Sequence, residues 1–510
     1  MRFLVVCLTR VPVPVRLGCV CGAVVLSFGM AWSDAGPVIA SSTLSLTVRD
    51  SIVMALENNR SLSVERYSPE ILETFVAEQE SVFDPALGGN WTAAESRGQR
   101  TSGVGEFTEV MSRSRSTSVT VSKRTPLGLG IDLGASASSR GSNVYAKMFS
   151  TRLGATLNLP LLEGLGTDVN LVGVHQAEKD VELSEHELRG FVLALAGQVE
   201  DNDWDLLLAR EELRIRLASL DLARQQLAET EDRIEVGDVA EIERAAAEGE
   251  VALREEAVID ARSALEKTTL QLLRSLNPPA GDFWSLTIDF LDGPAMEDIT
   301  LGPVESHVRV ALETRPDLNQ ARVQVEKQEL ELVRTRNGLL PRLDFFITLG
   351  RTGYARSFTD SIRGLNENNF DASGGFMFEY AFRNRADRAR HRRATLRADE
   401  AQAALSNFEQ LVELEVRTAC VEVERSIQQI AATRAATRLQ EAKHRAEVEK
   451  FRVGKSTNLL VLVAQRDLIQ SQLDEVRAQI NRRKALVGLY QAEGVLLDQH
   501  RIVMPSEPLP

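Results

Sequence analysis

The chain has 510 residues, of which 43% are apolar, 26% are charged and only 5% are aromatic, and its formal net charge is −14. This composition excludes a wholly disordered or collagen-like chain, and the length is too great for one compact core. The acidic balance argues against a nucleic-acid partner, because nucleic-acid binders need a basic surface that displaces counterions from phosphates. We therefore expect several domains or one elongated, repeated architecture.

Residues 1–35 are predicted to be a signal peptide. Three arginines lie in the first 16 residues, an apolar stretch covers residues 17–32, and small residues follow at Ala31, Ser33 and Ala35, which is the order of a cleavable export signal. Lipidation at Cys19 or Cys21 is the less favoured alternative, since neither lies in a clean lipobox. Cleavage would leave Cys420 as the single cysteine, so packing must stabilise the exported chain.

Contact with a membrane is expected through β-strands. Beyond residue 35 no apolar run reaches the ~18 residues that a transmembrane helix needs. Candidate strands are residues 87–93, 127–137, 153–161, 343–352 and 370–380. Lengths of about 9 to 11 residues suit tilted strands that cross a bilayer. We expect four membrane strands, two from each half of the chain, and an added hairpin near residues 117–137.

The remaining segments predict unusually long helices. Leucine and isoleucine recur every seven residues between Leu206 and Ile234, which is the spacing of helices packed as coiled coils. A helix over residues 166–236 would be on the order of 100 Å long. The helix after it, residues 238–276, is about half as long and so is the one over residues 304–340. Laid end to end, these two would equal one long helix and form a cylinder.

The chain is predicted to be a tandem repeat. The stretch from Ala55 to Leu62 matches the stretch from Ala311 to Leu318 at an offset of 256 residues, and Gly237 matches Gly454 at an offset of 217. The first repeat is therefore assigned to residues 36–303, with a linker at 277–303 that forms a belt midway up the cylinder. The second repeat covers residues 304–510 and includes a C-terminal tail.

No catalytic, cofactor or metal site is predicted. Gly454, Lys455, Ser456 and Thr457 resemble the end of a phosphate loop, but the position five before Gly454 is Glu449 rather than glycine. The six histidines are scattered, and a solvated charged helix face explains them better than a metal site. We expect a protein that is not an enzyme.

The sequence resembles the TolC family of outer-membrane efflux proteins. The similarity covers the duplicated layout, the stretch from Leu159 to Gly164 where a strand passes into the long helix, and the turn from Phe451 to Gly454 followed by Leu459 and Leu460. It implies a mainly helical protein: a coiled-coil α-helical barrel that extends into the periplasm below a membrane β-barrel of 12 strands shared by three chains.

An oligomer also follows from elementary physics. Four strands cannot close into a barrel, and open sheet edges are too costly in lipid. Two chains would give eight strands and a filled interior, whereas three would give 12 and leave room for passage. The family implies a homotrimer in outer-membrane lipid that passes substrate from a periplasmic adaptor and an inner-membrane pump or ABC transporter.

The resemblance also implies site residues. The two periplasmic tip turns that meet the adaptor would be Val236, Gly237 and Asp238, and Val453, Gly454 and Lys455. Just beyond them, Glu243, Leu460 and Val463 are candidates for the pore constriction. Leu460 and Val463 stand where some members carry aspartate, so we expect a hydrophobic gate that excludes water in place of an acidic one; the alternative is that both residues merely pack in the coiled coil.

The alternative from another class of protein is a periplasmic coiled-coil adaptor or spacer whose β segments form a soluble domain. Adaptors usually carry one helical hairpin rather than two, and they lack strands of bilayer length.

Overall fold

The computed structural model describes residues 43–101, 107–237, 239–279, 283–291, 293 and 301–502. The predicted signal peptide, Asp238, much of the linker and the last eight residues lie outside this range. The helices, in chain order, are α1 (Val48–Asn58), α2 (Arg60–Glu65), α3 (Tyr67–Glu80), α4 (Thr167–Asn170), α5 (Val172–Glu235), α6 (Ile242–Leu276), α7 (Val304–Thr314), α8 (Pro316–Asn337), α9 (Phe358–Arg363), α10 (Arg385–Arg452), α11 (Asn458–Glu493) and α12 (Leu496–Gln499). The strands are β1 (Thr43–Leu46), β2 (Ala86–Thr101), β3 (Phe107–Arg124), β4 (Gly130–Ser142), β5 (Met148–Pro160), β6 (Thr287–Phe290), β7 (Arg342–Ala355) and β8 (Phe370–Glu379).

Two long helices dominate the chain, as the heptad spacing predicted. Helix α5 has 64 residues and α10 has 68, which correspond to lengths of about 96 and 102 Å. Helix α6 packs along α5, and α11 packs along α10. Heptad residues such as Leu206, Val416 and Val423 are buried in these contacts. The helical part is therefore stabilised by seams of apolar side chains rather than by one central core.

The helix that begins each half is interrupted, whereas the sequence predicted continuous helices over residues 47–82 and 304–340; the structure has α1 to α3 in the first half and α7 and α8 in the second, and we call these the leading helices. In the first half the chain breaks at Asn59, whose side-chain oxygen accepts hydrogen bonds from the backbone N–H groups of Ser61 (2.9 Å) and Leu62 (3.2 Å) and so caps α2. In the second half Pro316 begins α8, where the missing N–H group of proline costs nothing. Both breaks lie where another helix ends.

Each shorter return helix ends against the leading helices of its own half. Helix α6 ends at Asn277 in the left-handed conformation, and the Asn277 side chain donates to the backbone oxygen of Asn58 (2.8 Å). The Asn59 side chain donates to the backbone oxygen of Ser275 (2.9 Å). Helices α2 and α3 then continue along α5 from this point.

The second half repeats this junction. Helix α11 ends at Gly494, with φ at 76°, and Thr314 Oγ1 at the end of α7 donates to the backbone oxygen of Glu493 (2.5 Å). The prediction that residues 238–276 continue into residues 304–340 is therefore wrong. Equal helix lengths do not specify partners, and the polar contacts at Asn277 and Gly494 join segments within each half.

The main sheet has six antiparallel strands in the order β2-β3-β4-β5-β7-β8. The sequence predicted four strands, two from each half of the chain, beside an added hairpin of unassigned position; the structure has six, because that hairpin, β3 and β4, pairs into the sheet between β2 and β5. Helices α3, α5, α8 and α10 all approach this sheet from one end. The turn between β3 and β4 lies at that same end.

A second, small sheet lies where the helices break. Strands β1 and β6 pair in parallel, and their inner side chains join a core with α1, α5, α6 and α12. Trp204 and Phe290 meet edge to face there, with ring centroids 6.0 Å apart. Arg210 of α5 donates to the backbone oxygen of Ile288 in β6 (2.7 Å). These contacts attach the part of the predicted belt that is described to the middle of α5.

Across the described ranges, no helix combines the length and the apolar character that a membrane span needs.

Gly494 tests the junction in the second half. A side chain there would adopt φ near +76° and would place its Cβ 3.2 Å from the Cα of Arg315. Left-handed backbone costs a non-glycine residue about 1–2 kcal/mol, and more for a β-branched one in contact with other backbone. We expect Gly494→Val to lower the free energy of unfolding by about 2 kcal/mol, measured as a lower thermal midpoint of the detergent-purified protein.

The matched control is Gly249→Ala in α6, where an added methyl meets no atom within 4 Å and helix propensity improves. Equal midpoints for Gly494→Val and the unmodified chain would contradict the junction.

Candidate channel wall and periplasmic tip

One face of the six-stranded sheet is apolar from edge to edge. Residues opposite each other in antiparallel strands lie on the same face. The central row of this face, taken across all six strands in register, is Leu87, Val121, Leu133, Ala155, Leu349 and Ala372. Its large side chains are exposed, from 38% at Val121 to 75% at Leu87. We call this surface the apolar band.

The apolar band has the height of a bilayer core. On β5 it runs from Phe149 to Leu159, which corresponds to about 33 Å along the strand and ~25 Å after a tilt of ~40°. Aromatic side chains lie near both ends of the apolar band. Those near the helical end are Phe345, Phe376 and Phe378, and those near the other end are Trp91, Phe149 and Phe370. Lys123, Arg351 and Arg115, the last in the row of Phe149, are charges within these rows, and long cationic side chains of this kind can reach the nearest polar layer.

The opposite face of the sheet is polar. Hydroxyl pairs bridge neighbouring strands: Thr92 with Ser116 (2.5 Å), Ser138 with Ser150 (2.8 Å) and Thr156 with Thr348 (3.2 Å). An antiparallel sheet with one apolar and one hydroxyl-rich face is suited to separating lipid from water.

An ion pair crosses the polar face. Arg152 of β5 donates two hydrogen bonds to Asp371 of β8, at 2.8 and 2.5 Å, over the intervening strand β7. The crossing requires glycine at position 350, because a Cβ there would lie 2.8 Å from Arg152 Nη2 and 2.9 Å from Asp371 Oδ1. Both side chains are about two-fifths exposed, so the pair organises the polar face more than it stabilises the fold.

The sheet passes into the helices through a compact neck at residues 160–166. Gly164 and Gly166 have positive φ angles. The backbone N–H of Gly164 donates to the side chain of Asn337 at the end of α8 (2.8 Å), and the Asn170 side chain donates to the backbone oxygens of both glycines (2.8 Å each). The stretch from Leu159 to Gly164, noted in the sequence, thus joins the two halves of the chain at the neck.

The tip turns lie at the other end of the long helices. Gly454 has φ at 72° and donates to the backbone oxygen of Phe451 (3.0 Å), while Lys455 donates to that of Lys450 (2.8 Å); this is a Schellman motif. Gly237 has φ at 79° and donates to Ile234 (3.0 Å). Asp238 lies outside the described residues. A Cβ at either glycine would meet open space.

The valines before the tip glycines are strongly exposed. Val236 is 83% exposed and Val453 is 66% exposed. The two tips touch through Arg233 of α5, whose guanidinium lies 4.8 Å from the ring centroid of Phe451 in α10. The sequence therefore presents two apolar side chains on two rigid turns, a geometry that suits docking to another protein.

The constriction candidates lie one to two turns from the tips. Glu243 is half-buried in the first turn of α6 and accepts a hydrogen bond from Asn458 at the start of α11 (3.4 Å). Leu460 is 50% exposed in the first turn of α11, and Val463 is half-buried. The structure therefore brings Glu243 to the helix that carries Leu460 and Val463.

Several charged contacts between neighbouring long helices were not predicted. Lys443 of α10 donates to Asp467 of α11 (2.9 Å), and hydrogen bonds from Lys443 and then Arg466 hold the pKa of the Asp467 carboxyl below its usual value. Arg477 of α11 contacts Glu212 of α5 at 2.7 Å. The charges are visible in the sequence, but the relative register of two helices is not, so no pattern could pair them.

Within the described ranges, no cluster of three or more histidine, cysteine or acidic side chains has the arrangement of a metal site.

Cysteine labelling tests the two faces of the sheet. In a Cys420→Ala background, Arg152→Cys on the polar face and Leu153→Cys on the apolar band differ by one residue. We expect a charged, membrane-impermeant thiol reagent to modify position 152 at least tenfold faster in membranes, because only that side chain faces water. In detergent-unfolded protein both positions should react alike, and equal rates in the membrane would contradict the assignment of the faces.

Comparisons with known proteins agree with this geometry. The sequence model of the family described as "Outer membrane efflux protein" matches residues 52–278 and 308–495. The chain is 25% identical to the pyoverdine export outer membrane protein OpmQ of Pseudomonas putida over 381 residues, which are 71% of this chain and 73% of that protein.

Solved structures share the fold. A crystal structure of CusC superposes with a TM-score of 0.66 at 15% identity, covering 88% of this chain and 91% of that one. The outer membrane protein VceC of Vibrio cholerae superposes with a TM-score of 0.63 at 16% identity, covering 88% and 96%.

The family match covers most of the chain and decides against the coiled-coil adaptor considered from the sequence. The family is one of transport proteins rather than enzymes, and it resides in the outer membrane. The chain is a member of the outer membrane efflux protein family, in which a β domain continues into a long helical part.

Proposed function

We propose that three copies of the chain share one wall in the outer membrane and continue it into the periplasm as a helical tunnel. The tunnel conducts substrate delivered by a periplasmic adaptor protein and an inner-membrane pump or ABC transporter. The observation that carries the proposal is the apolar band on an open sheet: β2 and β8 are its edge strands. In hydrocarbon each unpaired backbone group costs several kcal/mol, so another copy must pair with both edges.

The helices support the same assembly. Each chain supplies four helical columns: α5, α10, α6 with α1–α3, and α11 with α7–α8. At 9–10 Å between helix axes, three chains would give a ring of about 34–38 Å in diameter, and two chains a ring of about 23–25 Å. A ring of 12 columns leaves a bore for solutes. The matching junctions at Asn277 and Gly494 support a duplicated chain with halves at residues 36–303 and 304–510. The signal peptide would occupy residues 1–35.

The tip turns are proposed to dock the adaptor. Val236, Gly237 and Asp238 form one turn, and Val453, Gly454 and Lys455 form the other. Their support is the exposure of the two valines on rigid glycine turns at the end of the tunnel. An adaptor with a complementary apolar groove would bury both valines, which are worth about 1.5–3 kcal/mol each when fully buried.

Gly454→Pro tests this docking. Proline requires φ near −65° and removes the N–H that bonds Phe451, so the turn cannot form. We expect the variant to reach the outer membrane as a heat-resistant trimer but to lose at least nine-tenths of the adaptor recovered with it after crosslinking in cells.

Gly454→Asn is the matched control, because asparagine tolerates the left-handed conformation and keeps the N–H. Full adaptor recovery with the proline variant would mean that the docking site lies elsewhere.

Leu460 and Val463 are proposed to narrow the pore, with Glu243 beside them. Exposure of Leu460 at the start of α11 supports a gate that excludes water by its apolar side chains. We expect Leu460→Ser to raise single-channel conductance in planar bilayers severalfold, because a hydroxyl lets water occupy the constriction.

Leu459→Ser changes the neighbouring residue, which is 68% exposed but points about 100° away around the helix. Unchanged conductance in Leu460→Ser would show that Leu460 only packs against other helices.

A further inference from the structure

We infer that all six strands of the main sheet, including the added hairpin β3–β4, form the membrane wall, so that three copies build an 18-stranded barrel rather than a 12-stranded one. This inference rests on the proposed trimer. The inference goes beyond the proposed trimer because it places the hairpin in the wall and gives the channel exit a width.

The apolar band is continuous across the hairpin. In the central row, Val121 and Leu133 of the hairpin stand between Leu87 of β2 and Ala155 of β5. In the next row towards the outer end, Val119 and Ala135 hold the same position between Gly89 and Leu153. On β3 the apolar side chains lie between two charges, Lys123 towards the helical end and Arg115 in the row of Phe149. A hairpin that projected into water would need no apolar side chains in register with the band.

The hairpin also joins the edge strand β2 to the rest of the sheet. Strand β2 pairs with β3 along its whole length, and β4 pairs with β5 from Gly130 to Arg140. Strands β2 and β5 are not neighbours in the sheet. Moving the hairpin out of the wall would break both ladders, and every freed backbone group would need a new partner in lipid.

The inner turn of the hairpin is anchored at the neck. The backbone N–H of Gly166 donates to the oxygen of Leu127 (3.2 Å). Gly128 has φ at 98°, and a Cβ there would lie 2.4 Å from the backbone oxygen of Gly164. This turn therefore sits as deep in the protein as the ends of the neighbouring strands, as a member of the wall must.

The estimated widths of the two parts of the chain match more closely with six strands than with four. A strand tilted by ~40° adds about 6 Å of circumference, so six strands span ~38 Å. Four helical columns at 9–10 Å span ~36–40 Å. A four-stranded segment would span only ~25 Å and would have to taper sharply from the tunnel. With six strands the outer-membrane segment is about as wide as the helical ring.

The polar face of the hairpin keeps this exit open. The residues of β3 that face away from the apolar band are small hydroxyl residues: Ser114, Ser116, Ser118, Thr120 and Ser122. An 18-stranded wall has a backbone diameter of ~36 Å, against ~24 Å for 12 strands at the same tilt. The exit therefore admits solutes wider than a 12-stranded wall would pass, and the size limit for cargo lies at the periplasmic tip.

Spin labelling of the full-length protein in lipid nanodiscs tests the inference. In a Cys420→Ala background, nitroxide labels are placed at Val119 and Leu133 on the apolar band of the hairpin and at Ser118 on its polar face. Leu153 and Arg152 on β5 serve as matched reference positions. The probes are molecular oxygen, which concentrates in lipid, and a water-soluble nickel chelate. We expect positions 119 and 133 to collide preferentially with oxygen, as 153 does, and position 118 to collide preferentially with nickel, as 152 does.

The outcomes separate the two proposals. Alternation on β5 with nickel access at both 118 and 119 would overturn the 18-stranded wall and leave the channel intact. Loss of alternation on β5 as well would overturn the proposed membrane wall itself. An end-on particle image of the same sample gives the second measurement: a barrel of ~36 Å backbone diameter supports the inference, and one of ~24 Å overturns it.

Discussion

Backbone hydrogen bonding at the two edges of the sheet is the constraint on which the rest of the structure depends. Strands β2 and β8 each pair on one side within the chain, and lipid around the apolar band would supply no hydrogen bonds to their outer edges. A single chain therefore leaves both outer edges without a partner strand among the described residues. In the proposed assembly other copies continue the ladders around a closed wall, and the arrangement of the helices below follows from that closure.

The helical part meets a different requirement. It stands in water on both sides once a tunnel forms, so only the seams between helices are apolar. Cross-helix charge pairs such as Lys443 with Asp467 and Arg477 with Glu212 lie outside those seams, where solvent weakens them individually. Such contacts set the register of neighbouring helices, although breaking one costs little. The neck is held by hydrogen bonds from and to the backbone of Gly164 and Gly166, through the side chains of Asn337 and Asn170.

The sequence predicted the long helices, the tip turns and most strands, because heptad spacing and strict alternation can be read directly from the order of residues. It predicted an added hairpin near residues 117–137 but gave β3 no bounds. Between Ser112 and Ser118 the serines of that strand alternate with Arg113, Arg115 and Thr117, so it offers no apolar face there, and only the pairing with β2 and β4 shows its extent. Helix partners were also wrong, since periodicity states which face packs but not against what. The Asn59 break needed the side-chain cap, which no spacing rule identifies with certainty.

The order of strands in the sheet has a consequence for biogenesis. Strands β2 to β5 are consecutive in the chain and form a meander of local hairpins, whereas β5 meets β7 only after the segment from α5 to α8 has intervened. Contacts between near neighbours in sequence form faster than distant ones, because less chain entropy is lost in closing them. The meander thus offers a preformed, four-stranded template at which a newly exported chain can begin insertion, before the last hairpin arrives to join it.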